Sequence, residues 1–113
     1  MIKIYHNPRC SKSREGLSFL KDTVQDIEIV EYLKNGITEK EIQEIISKMN
    51  CSVESIIRKQ EPVFKDFYKD KNISEEEWIQ AIVNHPKLLQ RPIIVTENSA
   101  IIARPANMMT KIL

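Results

Sequence analysis

The order of apolar and polar positions predicts a chain that opens as strand, helix and strand. Residues 2–5 and 27–32 alternate in the way that a half-buried strand does. Between them, Leu17, Leu20 and Val24 fall on one face of a helix. A unit of this kind normally places its two strands side by side and parallel.

The middle of the chain is predicted to be helical. Thr38 and Ser74 each begin a capping box, with a glutamate three residues later. Shorter turns are expected near Ser52 and from Pro62, which suits the first position of a helix. The apolar residues that these segments carry are Ile42, Ile45, Ile46, Met49, Val53, Ile56, Ile57, Val63, Phe64, Phe67, Trp78, Ala81 and Ile82. His85, followed by a proline, ends the last of these helices.

The last part of the chain returns to strands. Residues 92–95 predict a buried strand, and residues 100–103 predict its return after a turn at Glu97 and Asn98. Pro105 suits the start of a final helix. The element order βαβ, four helices and ββα therefore predicts an α/β fold, with a four-stranded mixed sheet and a helical insert.

Length and composition fit one soluble domain. We expect a single domain over residues 1–113, with the insert at approximately residues 37–86. No apolar run approaches the ~18 residues of a membrane span, and the N-terminus lacks a secretory apolar region. We therefore expect a cytoplasmic protein with no membrane partner. Two glycines are too few for a dinucleotide-binding or Walker loop.

The net charge of +1 is unevenly distributed along the chain. Residues 1–16 and 79–113 contain an excess of lysine and arginine, and residues 24–78 contain an excess of acids. If the two ends meet in space, they attract a small anion without forming the extended basic surface that a nucleic acid needs. We therefore expect no nucleic-acid partner. A scatter of solvated charges is the alternative interpretation.

Cys10 lies where a strand and a proline give way to a helix. A thiol at a helix start meets unpaired backbone N–H groups and the positive end of the helix dipole, which favour the thiolate. Arg9, Lys12 and Arg14 add positive charge, and His6 adds more when it is protonated. Packing in a core is the alternative role of a free cysteine. An apolar filler has no reason to lie among these residues, so we predict a reactive thiolate.

Ser13 lies three residues after the cysteine, where redox proteins with a Cys-x-x-Cys motif carry their second thiol. The chain therefore has one attacking sulfur, and an outside thiol must complete any redox cycle. Cys51 could resolve a disulfide in principle, although packing at a helix start is its more ordinary role. Two histidines without paired cysteines do not predict a zinc or other metal site.

Four segments resemble the motifs of the glutaredoxin-linked arsenate reductases. Residues 5–14, Tyr-His-Asn-Pro-Arg-Cys-Ser-Lys-Ser-Arg, resemble the active-site segment of that family. Residues 56–59 resemble its second motif, and residues 86–95 and 103–105 resemble its third and fourth. The segments follow in the same order over essentially the whole chain.

The resemblance implies a thioredoxin-like fold and a reaction. In such folds the proline that opens the third strand is usually cis, so Pro92 is expected to be cis and to face Cys10. The thiolate of Cys10 would attack arsenate and form a covalent adduct. Glutathione, as co-substrate, would attack this adduct, and glutaredoxin would remove the mixed disulfide, with arsenite as the product. No bound cofactor is implied.

The resemblance also implies the roles of five side chains. Arg58, Arg91 and Arg104 would bind the arsenate oxyanion, while Ser13 and His6 would help to keep the thiolate ionised. Elementary chemistry agrees, because arginine forks suit tetrahedral oxyanions and a thiolate that attacks an anion needs fixed cations nearby. Each arginine could also be an ordinary surface residue. The histidine could bond within the turn without titrating usefully.

Two other functions stay open at this stage. One is a thiol-responsive regulatory or interaction protein of the same superfamily, which Ser13 disfavours because no disulfide can form at that position. The other is a thiol oxidoreductase that acts on another substrate, such as a glutathione mixed disulfide. Motifs that a family shares do not by themselves fix a substrate.

Overall fold

A four-stranded mixed sheet forms the centre of the protein. A computed structural model describes residues 1–113. Strand β1 (Ile2–Tyr5) pairs in parallel with β2 (Ile27–Val30) and antiparallel with β3 (Ile93–Val95), which in turn pairs antiparallel with β4 (Ala100–Ile102). The strand order is β2-β1-β3-β4. The predicted α/β fold with a parallel opening unit and a closing hairpin is confirmed.

The helical segments lie where the apolar spacing predicts them, with two additions. The α-helices are α1 (Ser11–Thr23), α2 (Tyr32–Asn35), α3 (Glu39–Met49), α4 (Pro62–Phe67) and α5 (Glu75–Asn84). Short 3₁₀ helices cover Val53–Ile56, Pro86–Leu88 and Ala106–Lys111. Both predicted capping boxes form. The sequence did not predict α2 or the 3₁₀ helix at Pro86–Leu88. No helix combines the length and the apolarity needed to cross a membrane.

Four predicted elements are wrong in detail. Strand β3 begins one residue later than predicted, at Ile93, and β4 ends one residue earlier, at Ile102. The second strand ends at Val30 rather than at residue 32, because its partner β1 ends at Tyr5, the residue that pairs with Val30. The chain beyond it has no strand to pair with, and Tyr32 begins α2 instead. The final helix is a 3₁₀ helix. The predicted cis peptide bond before Pro92 is confirmed, and a second precedes Pro105.

The two central strands, β1 and β3, carry buried side chains on both faces of the sheet. Because successive strand residues point to opposite sides, Tyr5 and Ile93 pack in one core cluster while Ile4 and Ile94 pack in the other. The larger cluster joins the sheet to the helices between β2 and β3, and the smaller one joins it to α1 and the last 3₁₀ helix. The central strand β1 ends at Tyr5, and the loop that follows it carries Cys10. The site loop is therefore attached to a buried, well-packed strand.

Candidate active site

The loop between β1 and α1 places Cys10 at a helix start. Cys10 is the N-cap residue of α1, with extended backbone angles, and its carbonyl accepts the first helical hydrogen bond from the Arg14 N–H at 2.9 Å. Asn7 shapes the preceding turn. Its backbone oxygen accepts from the N–H of Cys10 at 3.0 Å, and its side-chain oxygen accepts from the N–H of Arg9 at 3.0 Å. The thiol therefore lies at the positive end of the helix, as the sequence predicts.

The surroundings of the Cys10 thiol favour its ionised form. Burial opposes ionisation, but the backbone N–H groups of Ser13 and Lys12 and the guanidinium of Arg91 outweigh it, so the pKa of the Cys10 thiol is lowered. The residue is half-buried and forms no disulfide. A lowered pKa and partial access to solvent are the two features that make a cysteine reactive.

His6 and Ser13 form a buried pair behind the loop. Nδ1 of His6 lies 2.7 Å from Oγ of Ser13, and the same oxygen accepts from the N–H of Asn7 at 2.9 Å. Burial lowers the pKa of His6, more than the opposing charge of Glu31 raises it. The imidazole therefore favours its neutral form, so His6 supplies structure to the turn rather than positive charge to the thiolate.

Arg91 and Arg104 come together at the start of β3. The charge of Arg91 acts directly on Cys10, while Nε of Arg91 is buried and has no hydrogen-bond acceptor. Nη1 of Arg104, which is exposed, lies 3.4 Å from the backbone oxygen of Arg91. Arg91 therefore acts on the cysteine directly, and the side chain of Arg104 lies against the backbone of Arg91.

Arg58 reaches this region from the helical part of the chain. An isolated bridge pairs Ile57 with Leu89, and the N–H of Arg58 donates to the oxygen of Leu88 at 2.7 Å. The Arg58 side chain is buried, and its Nε donates to Oε2 of Glu61 at 3.2 Å. Its Nη groups have no protein acceptor, so they can bind a ligand while Glu61 holds the side chain in place.

An open cleft of about 450 Å³ lies beside the cysteine loop. Its walls are formed by His6, Asn7, Pro8, Arg9, Glu31, Leu33, Lys34 and Lys87. Three basic side chains against one carboxylate make the cleft suited to a small anionic molecule that also carries one positive group. The cleft gives solvent access to the side of the loop that faces α2.

Two residues near the site were missed in the sequence. Tyr32, which we assigned to the end of a strand, is fully buried, and the charges of Arg91, Arg58 and Cys10 all act on its hydroxyl. The parallel pairing of β1 and β2 was the available signal, because it brings the carboxyl ends of both strands to one edge of the sheet. Glu61 was also missed, although a carboxylate three residues after Arg58 suggests a local ion pair.

The sequence matches a known protein family over nearly its whole length. The ArsC family model matches residues 5–112. The chain is 39% identical over 113 residues to the uncharacterized protein YfgD of Escherichia coli K12, covering 98% of this chain and 95% of that protein. It is 37% identical over 106 residues to an arsenate reductase of Neisseria meningitidis serogroup A, covering 92% of this chain and 91% of that protein.

The fold matches the same family. The arsenate reductase from Vibrio cholerae superposes on the chain with a TM-score of 0.94 at 32% sequence identity, covering 99% of this chain and 97% of that chain. The thioredoxin-like fold that the resemblance implied is thereby confirmed. Because the family model, the sequence relatives and the solved structure agree over almost every residue, the chain belongs to the ArsC family.

Proposed function

We propose that the protein is an arsenate reductase that uses Cys10 as its nucleophile. The observation that carries this proposal is the contact of one thiolate-favouring cysteine with Arg91. Arg104 lies at the backbone of Arg91, and Arg58 acts on Tyr32, the same buried residue on which Arg91 and Cys10 act. Arsenate carries negative charge, so its attack by a thiolate requires fixed cations that offset the repulsion between like charges. Membership of a family with several arsenate reductases supports the same substrate.

The proposed reaction begins with a bond between Cys10 Sγ and arsenic. The thiolate attacks arsenate, and one arsenate oxygen leaves as water after protonation, which gives a thiol–arsenate adduct. Arg91, Arg58 and Arg104 bind the remaining oxygens and stabilise the charge as oxygen departs. His6 and Ser13 hold the loop in the shape that points backbone N–H groups at the sulfur.

Glutathione is the proposed second thiol. Its thiolate attacks Cys10 Sγ, so that a mixed disulfide forms and the S–As bond of the adduct breaks. The electron pair of the broken bond stays on arsenic, which is thereby reduced from As(V) to As(III) and leaves as arsenite. Glutaredoxin then reduces the mixed disulfide and restores Cys10. Ser13 supports an external reductant, because the loop holds no second thiol. The basic cleft beside the loop supports glutathione, which carries two carboxylates and one ammonium group.

A coupled assay tests the proposal. Arsenate-dependent oxidation of NADPH is measured with glutathione, glutathione reductase and glutaredoxin, and again without glutaredoxin. We expect turnover that requires glutaredoxin, no turnover for Cys10→Ser and near-normal turnover for Cys51→Ser. The second cysteine packs against the larger core cluster and is the matched control. Wild-type turnover in Cys10→Ser would refute the nucleophile, and turnover that is independent of glutaredoxin would refute the proposed reductant.

A further inference from the structure

The hydroxyl of Tyr32 is buried without a hydrogen-bond partner. Tyr32 begins the short helix α2 and has no exposed surface. A buried tyrosine hydroxyl normally finds a partner, because leaving it unpaired costs free energy. Only one other buried side-chain nitrogen or oxygen lacks a partner, and that atom is Nε of Arg91. The two buried side-chain groups without a partner therefore belong to residues that act on each other.

Both unpaired groups are hydrogen-bond donors. Nε of Arg91 can only donate, and the phenol of Tyr32 lies among the charges of Arg91, Arg58 and Cys10. Burial, more than any neighbouring charge, raises the pKa of Tyr32 to about 12, so the phenol keeps its proton at neutral pH. The charge of Glu61 also acts on the phenol, but this carboxylate accepts from Nε of Arg58 and makes no hydrogen bond to Tyr32. Two donors without an acceptor, near two cations and a nucleophilic sulfur, fit a ligand that is rich in acceptor oxygens.

Tyr5 shows how the same chain treats a buried phenol elsewhere. It is as fully buried as Tyr32, and its hydroxyl donates to Oε2 of Glu41 at 3.1 Å. The fold therefore provides a protein acceptor for one buried tyrosine and none for the other. The difference lies in location, because the charges of Cys10, Arg58 and Arg91 act on Tyr32, whereas only carboxylates act on Tyr5.

We propose that Tyr32 is a further substrate-binding residue, whose hydroxyl donates a hydrogen bond to an oxygen of the bound oxyanion beside Arg91. This inference rests on the proposed function, with arsenate as the oxyanion. The phenol adds a donor without adding charge. The hydroxyl donates the same hydrogen bond to arsenate and to the thiol–arsenate adduct. Its main effect is therefore on the affinity for arsenate rather than on the rate of the chemical step.

The test compares Tyr32→Phe with Tyr5→Phe in the full-length protein. For Tyr32→Phe we expect KM for arsenate to rise about tenfold to hundredfold, the range for a hydrogen bond to a charged group, with a much smaller change in kcat. The arsenate concentration that protects Cys10 from iodoacetamide should rise by the same factor. Tyr5→Phe should leave both quantities within about twofold of wild type, which is much less than any charge-assisted hydrogen bond supplies.

Two further readouts separate binding from a structural role. Without arsenate, the Tyr32→Phe protein should react with iodoacetamide as fast as wild type and unfold at the same or a higher urea concentration, because an unpaired buried hydroxyl is removed. Lower stability together with an altered rate would overturn the inference in favour of a structural role. Equal KM and equal protection in wild type and Tyr32→Phe would overturn this inference alone. Absence of both turnover and protection in the wild type would overturn the proposed function, and this inference with it.

Discussion

Gly16 of helix α1 packs directly against the ring of Pro92 at the start of β3. A β-carbon built on Gly16 would lie 2.6 Å from Cγ of Pro92, closer than carbon atoms can approach. The contact joins the helix that begins beside Cys10 to the residue that follows Arg91. The absence of a side chain at position 16 therefore lets the helix that begins beside Cys10 lie close to the start of β3, which carries Arg91.

Replacing Gly16 with alanine should destabilise the protein. Helix propensity alone favours alanine over glycine by about 1 kcal/mol, whereas overpacking a rigid contact costs about 1–3 kcal/mol. The ring of Pro92 is buried and cannot swing away, so we expect a net loss of stability in urea denaturation. Arsenate turnover should fall as well. Ser18→Ala, at an exposed position of the same helix, is the control and should not lose stability; a stabilised Gly16→Ala would contradict the contact.

The reactivity of Cys10 should depend on pH in a way that reports its thiolate. Because its pKa is lowered in the folded protein, alkylation by iodoacetamide should reach half its maximal rate below the free-cysteine value of about 8.5. In urea the midpoint should return to that value. Arg91→Gln removes one of the causes and should move the folded midpoint upward. Mass spectrometry of the peptide that contains Cys10 measures the rate, and identical midpoints in folded and unfolded protein would contradict the prediction.

Removal of single arginines should show whether particular arginines bind the oxyanion or whether activity depends only on the overall positive charge. Arg91→Ala and Arg104→Ala should lower kcat/KM for arsenate by about 100-fold or more, the usual loss for one donor to a developing negative charge. Lys59→Ala is the control, because Lys59 is exposed and pairs with Glu54 at the surface. Such a pair is worth about 0–1 kcal/mol. Similar losses of activity in all three variants would show that only the overall charge matters.

Arg58→Ala should affect stability as well as activity. Its guanidinium is paired with Glu61, whose side chain is 18% exposed, so its removal leaves a mostly buried carboxylate without a partner. We expect a loss of about 1–3 kcal/mol in the free energy of unfolding. Arg58→Ala combined with Glu61→Gln should recover much of this stability and none of the activity. Recovery of both would mean that Arg58 acts only on the fold.

Local signals explain how much of this architecture could be predicted from the sequence. The capping box at Thr38 and the helix start at Cys10 involve residues within one turn of each other, so their patterns are readable in the chain. The position of Tyr32 and the contact of Gly16 with Pro92 arise only when distant segments pack together. The family motifs predicted the cysteine as the nucleophile and the arginines as the residues that bind the oxyanion. The buried donor beside them has no periodic or local signature.

His6 should make the protein less stable in mild acid. Burial lowers its pKa in the folded state, while the unfolded chain titrates near 6.5. As the pH falls through 6.5, His6 binds a proton in the unfolded chain but not in the folded protein. The free energy of unfolding therefore decreases, until the pH passes the pKa of His6 in the folded protein. His6→Gln lacks this group, so its urea midpoint should change less between pH 7.5 and pH 5.5. His85→Gln should keep the loss that the wild type shows. The same decrease in wild type and His6→Gln would mean that other groups, such as the carboxylates common to all three proteins, cause the acid sensitivity.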